Sequence, residues 1–233
     1  MHIRVLLKFS LLAFPLALAS CASGSSAIWQ TAKNVWGNEV DVSRVSLNPN
    51  FQYLRVTVDG RTVLLALGNT ENHPQGQIEV WYSAEKEVIR LQNGRLVGAV
   101  GVTTEWRASS APVLPAWTVL AKSAAPLKWT RTRDVMPGYR YGVKDTIVTA
   151  SIVAPSTSQL QGVDPQTLVW FEDRIESIGN TSKQSNTVPR DSLPPAKYAV
   201  AIAGGAESVI YGEQCLASDL CISWQRWSAN SAR

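Results

Sequence analysis

The chain has 233 residues, 45% hydrophobic and 17% charged, with a formal net charge of +4, nine tryptophans and three cysteines. Two of its basic residues, Arg4 and Lys8, lie in an apolar leader without Asp or Glu, so the chain behind the leader is nearly neutral at +2. With no Lys/Arg-rich run, the electrostatic footprint of a nucleic-acid binder is absent, and the length suits one domain with a substantial core.

In chain order, residues 1–20 read as a signal peptide: a basic start, an apolar run from Leu11 to Leu18 broken by Pro15, then Leu18-Ala19-Ser20-Cys21. That run is too short to remain as a membrane-spanning helix. Cys21 sits where a diacylglycerol thioether forms and becomes the new N-terminus, so the mature chain is expected on a lipid anchor (palmitate among its acyl chains). At about 0.8 kcal/mol per buried CH₂, two or three chains hold it permanently. Ala22 stands where aspartate would retain a lipoprotein at the inner membrane, so the expected location is the periplasmic face of the outer membrane. Residues 21–27 form the lipidated cysteine and a small-residue tether, spanning at most about 20 Å. Residues 28–233 are then read as a single β-rich domain.

Ile28, Ala32, Val35 and Trp36, with Trp29 alongside, have the spacing of a short amphipathic helix. From Tyr53 the period changes to two. Leu54, Val56 and Val58 alternate with polar residues, Asp59-Gly60 is a hairpin turn, and Arg61 to Leu67 returns as a strand. Ile78 to Tyr82 follows, then Glu87 to Gln92 and Arg95 to Val102 on either side of Asn93-Gly94, a second hairpin signal. Further strands are expected at Leu127 to Arg133, Tyr139 to Val143, Thr146 to Val153, Thr167 to Phe171 and Lys197 to Ile202. The Pro/Ser-rich stretches Ala108 to Pro115, Pro155 to Gln159 and Ser182 to Pro195 read as linkers. The expected fold is all-β: an antiparallel meander of about ten strands closing into a barrel-like or folded-sheet domain, with a short N-terminal helix. Residues 203–233 read as a divergent tail in which Cys215 and Cys221, an even pair in an oxidising compartment, form a local disulfide.

The catalytic inventory is thin. His73 is the one histidine behind the leader, and nothing near it resembles a nucleophile elbow. No metal-ligand cluster, phosphate loop or dinucleotide fingerprint is present, so neither cofactor nor metal is expected. Glu79, Glu85, Glu87, Glu105, Glu172 and Asp173 are candidates for a glycosidase pair, although neighbours such as Glu172 and Asp173 point to opposite faces of a strand. The most suggestive cluster is Trp129-Thr130-Arg131-Thr132-Arg133. Its Trp129, Arg131 and Arg133 share a strand face on which sugars stack and acidic groups pair. With Arg95 close by, this face is the candidate ligand or partner surface.

The order of lipobox, short Trp-containing helix, Asn50-Phe51-Gln52-Tyr53-Leu54, the Asn93-Gly94-Arg95-Leu96-Val97 hairpin and Trp129-Thr130-Arg131 resembles the YjbF/GfcB family of lipoproteins, encoded with group 4 capsule and exopolysaccharide secretion genes. The similarity extends over roughly residues 18 to 202. It implies an antiparallel β-barrel-like fold, a periplasmic location, no known enzymatic activity and no catalytic residues to carry over. The expectation is a non-enzymatic accessory of exopolysaccharide or capsule export, in contact with the outer membrane through its anchor and with polysaccharide or export proteins. Two alternatives stay open: a lipid- or glycan-binding carrier barrel, and a glycan-processing enzyme.

Overall fold

A computed structural model describes residues 47–176 and 193–228. The lipobox, Cys21, the 21–27 tether and the helix expected over 28–36 fall outside them. The strands are β1 (Tyr53–Val58), β2 (Arg61–Glu71), β3 (Ile78–Tyr82), β4 (Val88–Gln92), β5 (Arg95–Val100), β6 (Glu105–Ser110), β7 (Leu127–Met136), β8 (Arg140–Ile152), β9 (Val169–Ile175), β10 (Ala196–Ala203), β11 (Ala206–Ala217) and β12 (Leu220–Trp227). A single helical turn, α1 (Trp117–Leu120), lies between β6 and β7. Each strand pairs antiparallel with its sequence neighbours, and β12 returns to β1, so the twelve strands close into a ring.

Local chemistry sets the turns. Asp59-Gly60 and Asn93-Gly94 both hold positive φ at both residues, 48° and 77° in the first and 50° and 78° in the second. These are the left-handed conformations of a type I′ hairpin, whose twist matches that of the flanking strands.

Three expectations change. Glu105–Ser110, half of which was read as linker, is a strand; and β8 runs unbroken where two strands were expected. The supposed tail over residues 203–233 supplies β11 and β12, which close the ring. Cys215 stands directly across from Cys221 in that hairpin and is bridged to it.

A ring of twelve strands is wider than the eight whose inward side chains just fill a barrel. Closing it without a channel needs bulky inward residues, and these are present. Val56 lies between Val63 and Trp224 across the ladder, and Trp224 lies across from Gly212. Trp81, Trp106, Trp224, Tyr198 and Phe171 are all less than 2% exposed. The ring also takes in α1: Trp117 packs at 4.8 Å from Phe171 and 5.3 Å from Tyr198, ring centre to ring centre. The turn is held by Glu207, whose carboxylate accepts from the backbone N–H groups of Trp117 and Thr118 at 3.1 and 2.7 Å.

The outer face carries the charge. Lys197 pairs with Glu213 at 2.8 Å, Arg174 with Glu172 at 2.6 Å, and Lys128 with Glu176. A transmembrane barrel has the opposite arrangement, apolar outside and polar within. Over part of this outer face the β8–β9 connection lies against the wall. Gln159 N–H donates to the Tyr211 hydroxyl at 3.1 Å, Gln161 exchanges hydrogen bonds with Gln225, and Arg55 donates to the Gln159 carbonyl. Arg55, Tyr211 and Gln225 are therefore buried although they point away from the ring's core.

Candidate functional site

The polar residues that could act chemically are gathered inside the ring. Strand alternation places Trp129, Arg131 and Arg133 on one face of β7, and the register sets Arg131 opposite Asp145 of β8. That face is interior. Trp129, Arg131 and Arg133 are 7%, 8% and 2% exposed, and Arg95 is 7% exposed. They form a core network, and the expected ligand or partner surface is not on the outside. The reason is complementary charge on the neighbouring strands: a guanidinium enters a core when carboxylates meet it there.

Asp145 accepts four hydrogen bonds. Oδ2 takes Arg131 Nε at 3.1 Å, Arg131 Nη2 at 2.9 Å and Arg133 Nε at 2.7 Å, while Oδ1 takes Arg133 Nη2 at 3.1 Å. Burial alone would raise its pKa, but the bonds and charges of Arg133 and Arg131 outweigh burial and hold the carboxyl below its ordinary value. For Arg131, burial dominates and lowers the pKa, with Asp145 opposing. The two guanidinium groups lie over the Trp106 ring, 4.6 and 5.2 Å from its centre.

Toward the end of the ring where the β4–β5 turn and the β6–β7 connection lie, Arg95 forms the second half of the network. Its Nε donates to Asp173 Oδ2 at 2.9 Å, and Asp173 also accepts from the Thr149 hydroxyl. Thr149 in turn accepts from Trp129 Nε1 at 2.9 Å. The Arg95 guanidinium sits in an aromatic cage, 3.8 Å from the Trp117 ring, 5.4 Å from Tyr198 and 5.7 Å from Trp129. Burial raises the Tyr198 pKa far above that of a free phenol, so it stays neutral and donates to Gln214 Oε1 at 3.0 Å.

All four residues singled out in sequence thus belong to one assembly. The members that sequence reasoning missed are Asp145, Thr149, Tyr198, Gln214 and Trp117, while Asp173, considered there only as half of a glycosidase pair, joins the assembly as the partner of Arg95. A lone Asp within a strand gives no sign of which face it occupies, so these partners become visible only through the register.

The other candidates are dispersed. His73 is exposed in the β2–β3 turn, with Gln92 Nε2 3.3 Å from its Nδ1. Among the candidate carboxylates, Glu79 accepts from Arg226 at 2.6 Å, Glu87 from Ser83, and Glu105 from Arg107 at 2.6 Å and Gly101 N–H at 2.9 Å. Glu172 faces out and Asp173 in, as strand alternation requires. Among the described residues no three His, Cys, Asp or Glu side chains are grouped to hold a metal.

Comparison with known proteins completes the picture. No functionally curated protein matches the chain. A solved structure, that of the hypothetical lipoprotein YmcC from Escherichia coli (K12), superposes over 88% of this chain and 96% of its own with a TM-score of 0.52 and 13% identity, which establishes the fold. Residues 29–182 match the family model described as "Group 4 capsule polysaccharide lipoprotein gfcB, YjbF", and the chain belongs to that family.

Proposed function

We propose that this protein is a non-enzymatic lipoprotein accessory to exopolysaccharide or capsule production and export, anchored through Cys21 at the periplasmic face of the outer membrane. Family membership over residues 29–182 carries the pathway, and the lipobox supports the location. The interior chemistry supports an accessory rather than a catalyst. Asp145 is bound to two arginines in the core, which hold its carboxyl below the ordinary value despite its burial, and a carboxylate held that way is a poor proton donor at neutral pH. Packing also argues against a lipid carrier: where a lipid would lie, the ring is filled by Trp81, Trp106, Trp224 and the inserted Trp117. The charged outer face suits a domain standing in the periplasm beside the membrane rather than within it.

The test is deletion of the gene followed by measurement of cell-surface and secreted polysaccharide under producing conditions. Reduced amounts or altered chain lengths, restored by the intact gene, are expected. Unchanged amounts and lengths would remove the pathway assignment.

A further inference from the structure

At the end of the ring beside the β4–β5 turn lies a cavity of about 30 Å³ lined by Gln75, Arg95, Ser109, Trp129, Arg131 and Gln214, among others. Four buried polar atoms of residues that line it have no protein partner: Arg95 Nη2, Ser109 Oγ, Gln214 Nε2 and Gln75 Oε1. Across the described residues, only seven buried side-chain atoms are unpartnered, and four of them belong to this one small cavity. A buried polar atom without a partner costs about 1–3 kcal/mol, so such a concentration points to an occupant.

The occupant's chemistry follows from the groups left free. Arg95, Arg131 and Arg133 pair with Asp173 and Asp145 in the core, and the carboxylate of Glu207, on the α1 backbone at the same end of the ring, supplies a third negative charge. The available groups are mostly donors, a guanidinium N–H, a hydroxyl, an amide NH₂, and the Gln75 amide, which can present either end, and an acceptor-only group satisfies such a set. About 10–15 Å³ admits one water-sized atom. Roughly 30 Å³ therefore takes a group with two oxygens and excludes a whole sugar ring.

We propose that this cavity is a binding site for a carboxylate or a comparably small oxyanion, held by Arg95, Ser109 and Gln214 beside the Trp129 ring. The site stands on geometry and on its free donors; assigning the carboxylate to an acidic sugar of a polysaccharide rests on the function proposed above.

The experiment titrates the folded protein with acetate, D-glucuronate and inorganic phosphate at constant ionic strength. Tryptophan fluorescence is the readout, since Trp117 and Trp129 flank Arg95, and neutral D-glucose is the control. A saturable response to acetate or glucuronate, with none to glucose, is expected. Ser109→Ala breaks no existing protein hydrogen bond, keeps the fold, and should weaken binding about tenfold; Arg95→Gln should abolish it. Glucuronate binding more tightly than acetate identifies an acidic sugar, and equal affinities identify a small free oxyanion. No saturable response to any of the three anions, an equal response to glucose, or unchanged affinity in Ser109→Ala would overturn the site. Such a failure leaves the polysaccharide phenotype of the deletion strain untouched, so the two proposals fail separately.

Discussion

Replacing Asp145 by Asn removes one negative charge from the core and changes almost no volume. In the native protein that carboxylate accepts four hydrogen bonds from Arg131 and Arg133 and is 4% exposed. The amide retains an oxygen but turns an NH₂ toward the guanidinium groups, leaving two buried cations without a counter-charge. Breaking a buried pair in this way costs about 3–5 kcal/mol. In a domain of this size about 1 kcal/mol shifts Tm by 2–4 °C, so Asp145→Asn should lower Tm by roughly 6–20 °C at pH 7. The pH dependence gives an independent check. The folded carboxyl has a pKa below its unfolded value of about 3.9. Its contribution to stability is thus complete above that unfolded value and is lost as pH falls through the folded one. The difference in Tm between wild type and variant should therefore be constant near neutrality and narrow below about pH 4. Calorimetry across pH 3–7 measures both quantities. A Tm within about 3 °C of wild type at pH 7, less than the cost of breaking even a weak buried pair, would refute the charge-pairing argument.

Opening the Cys215–Cys221 bridge with Cys215→Ser/Cys221→Ser should cost about 2 kcal/mol, the small value of a short loop, and lower Tm by about 4–8 °C; equal Tm values for oxidised, reduced and variant protein would contradict this. Gly212→Ala should cost about 1–3 kcal/mol by overpacking, because a Cβ there would run into the Trp224 ring, and an unchanged melting curve would show that the ring yields freely. Ending the chain after Ala203 removes β11 and β12 and leaves the edges of β1 and β10 unpaired. Size-exclusion chromatography should then find aggregates, since bare edges recruit other strands; a monomer that unfolds cooperatively would show the closure to be dispensable.

The all-β class and the hairpins at Asp59-Gly60 and Asn93-Gly94 were legible because turn chemistry and two-residue alternation are local signals. Alternation disappears where both faces of a strand are covered. In β11 the inward Gly212 and Gln214 sit among outward residues packed beneath the β8–β9 connection, so Ala206–Ala217 reads as irregular. In β8 the inward position after Val143 is Asp145, a charge at a core site, which makes one strand look like two. Trp129, Arg131 and Arg133 share one face of β7, as two-residue alternation requires. Its direction depends on Asp145 and Asp173, whose positions are set by pairing across strands rather than by anything near Trp129 in sequence.

The proposed function joins a pathway to an anchored location, and one complementation experiment probes both. In the deletion strain, surface and secreted polysaccharide are measured after expression of the wild-type gene and of a Cys21→Ala form exported to the periplasm by an ordinary secretory leader. Export is predicted to return to normal with the lipidated protein and to remain impaired with the unanchored one at matched periplasmic levels. Normal polysaccharide in the deletion strain itself, or full restoration by the unanchored domain, would contradict an accessory that works from the outer membrane.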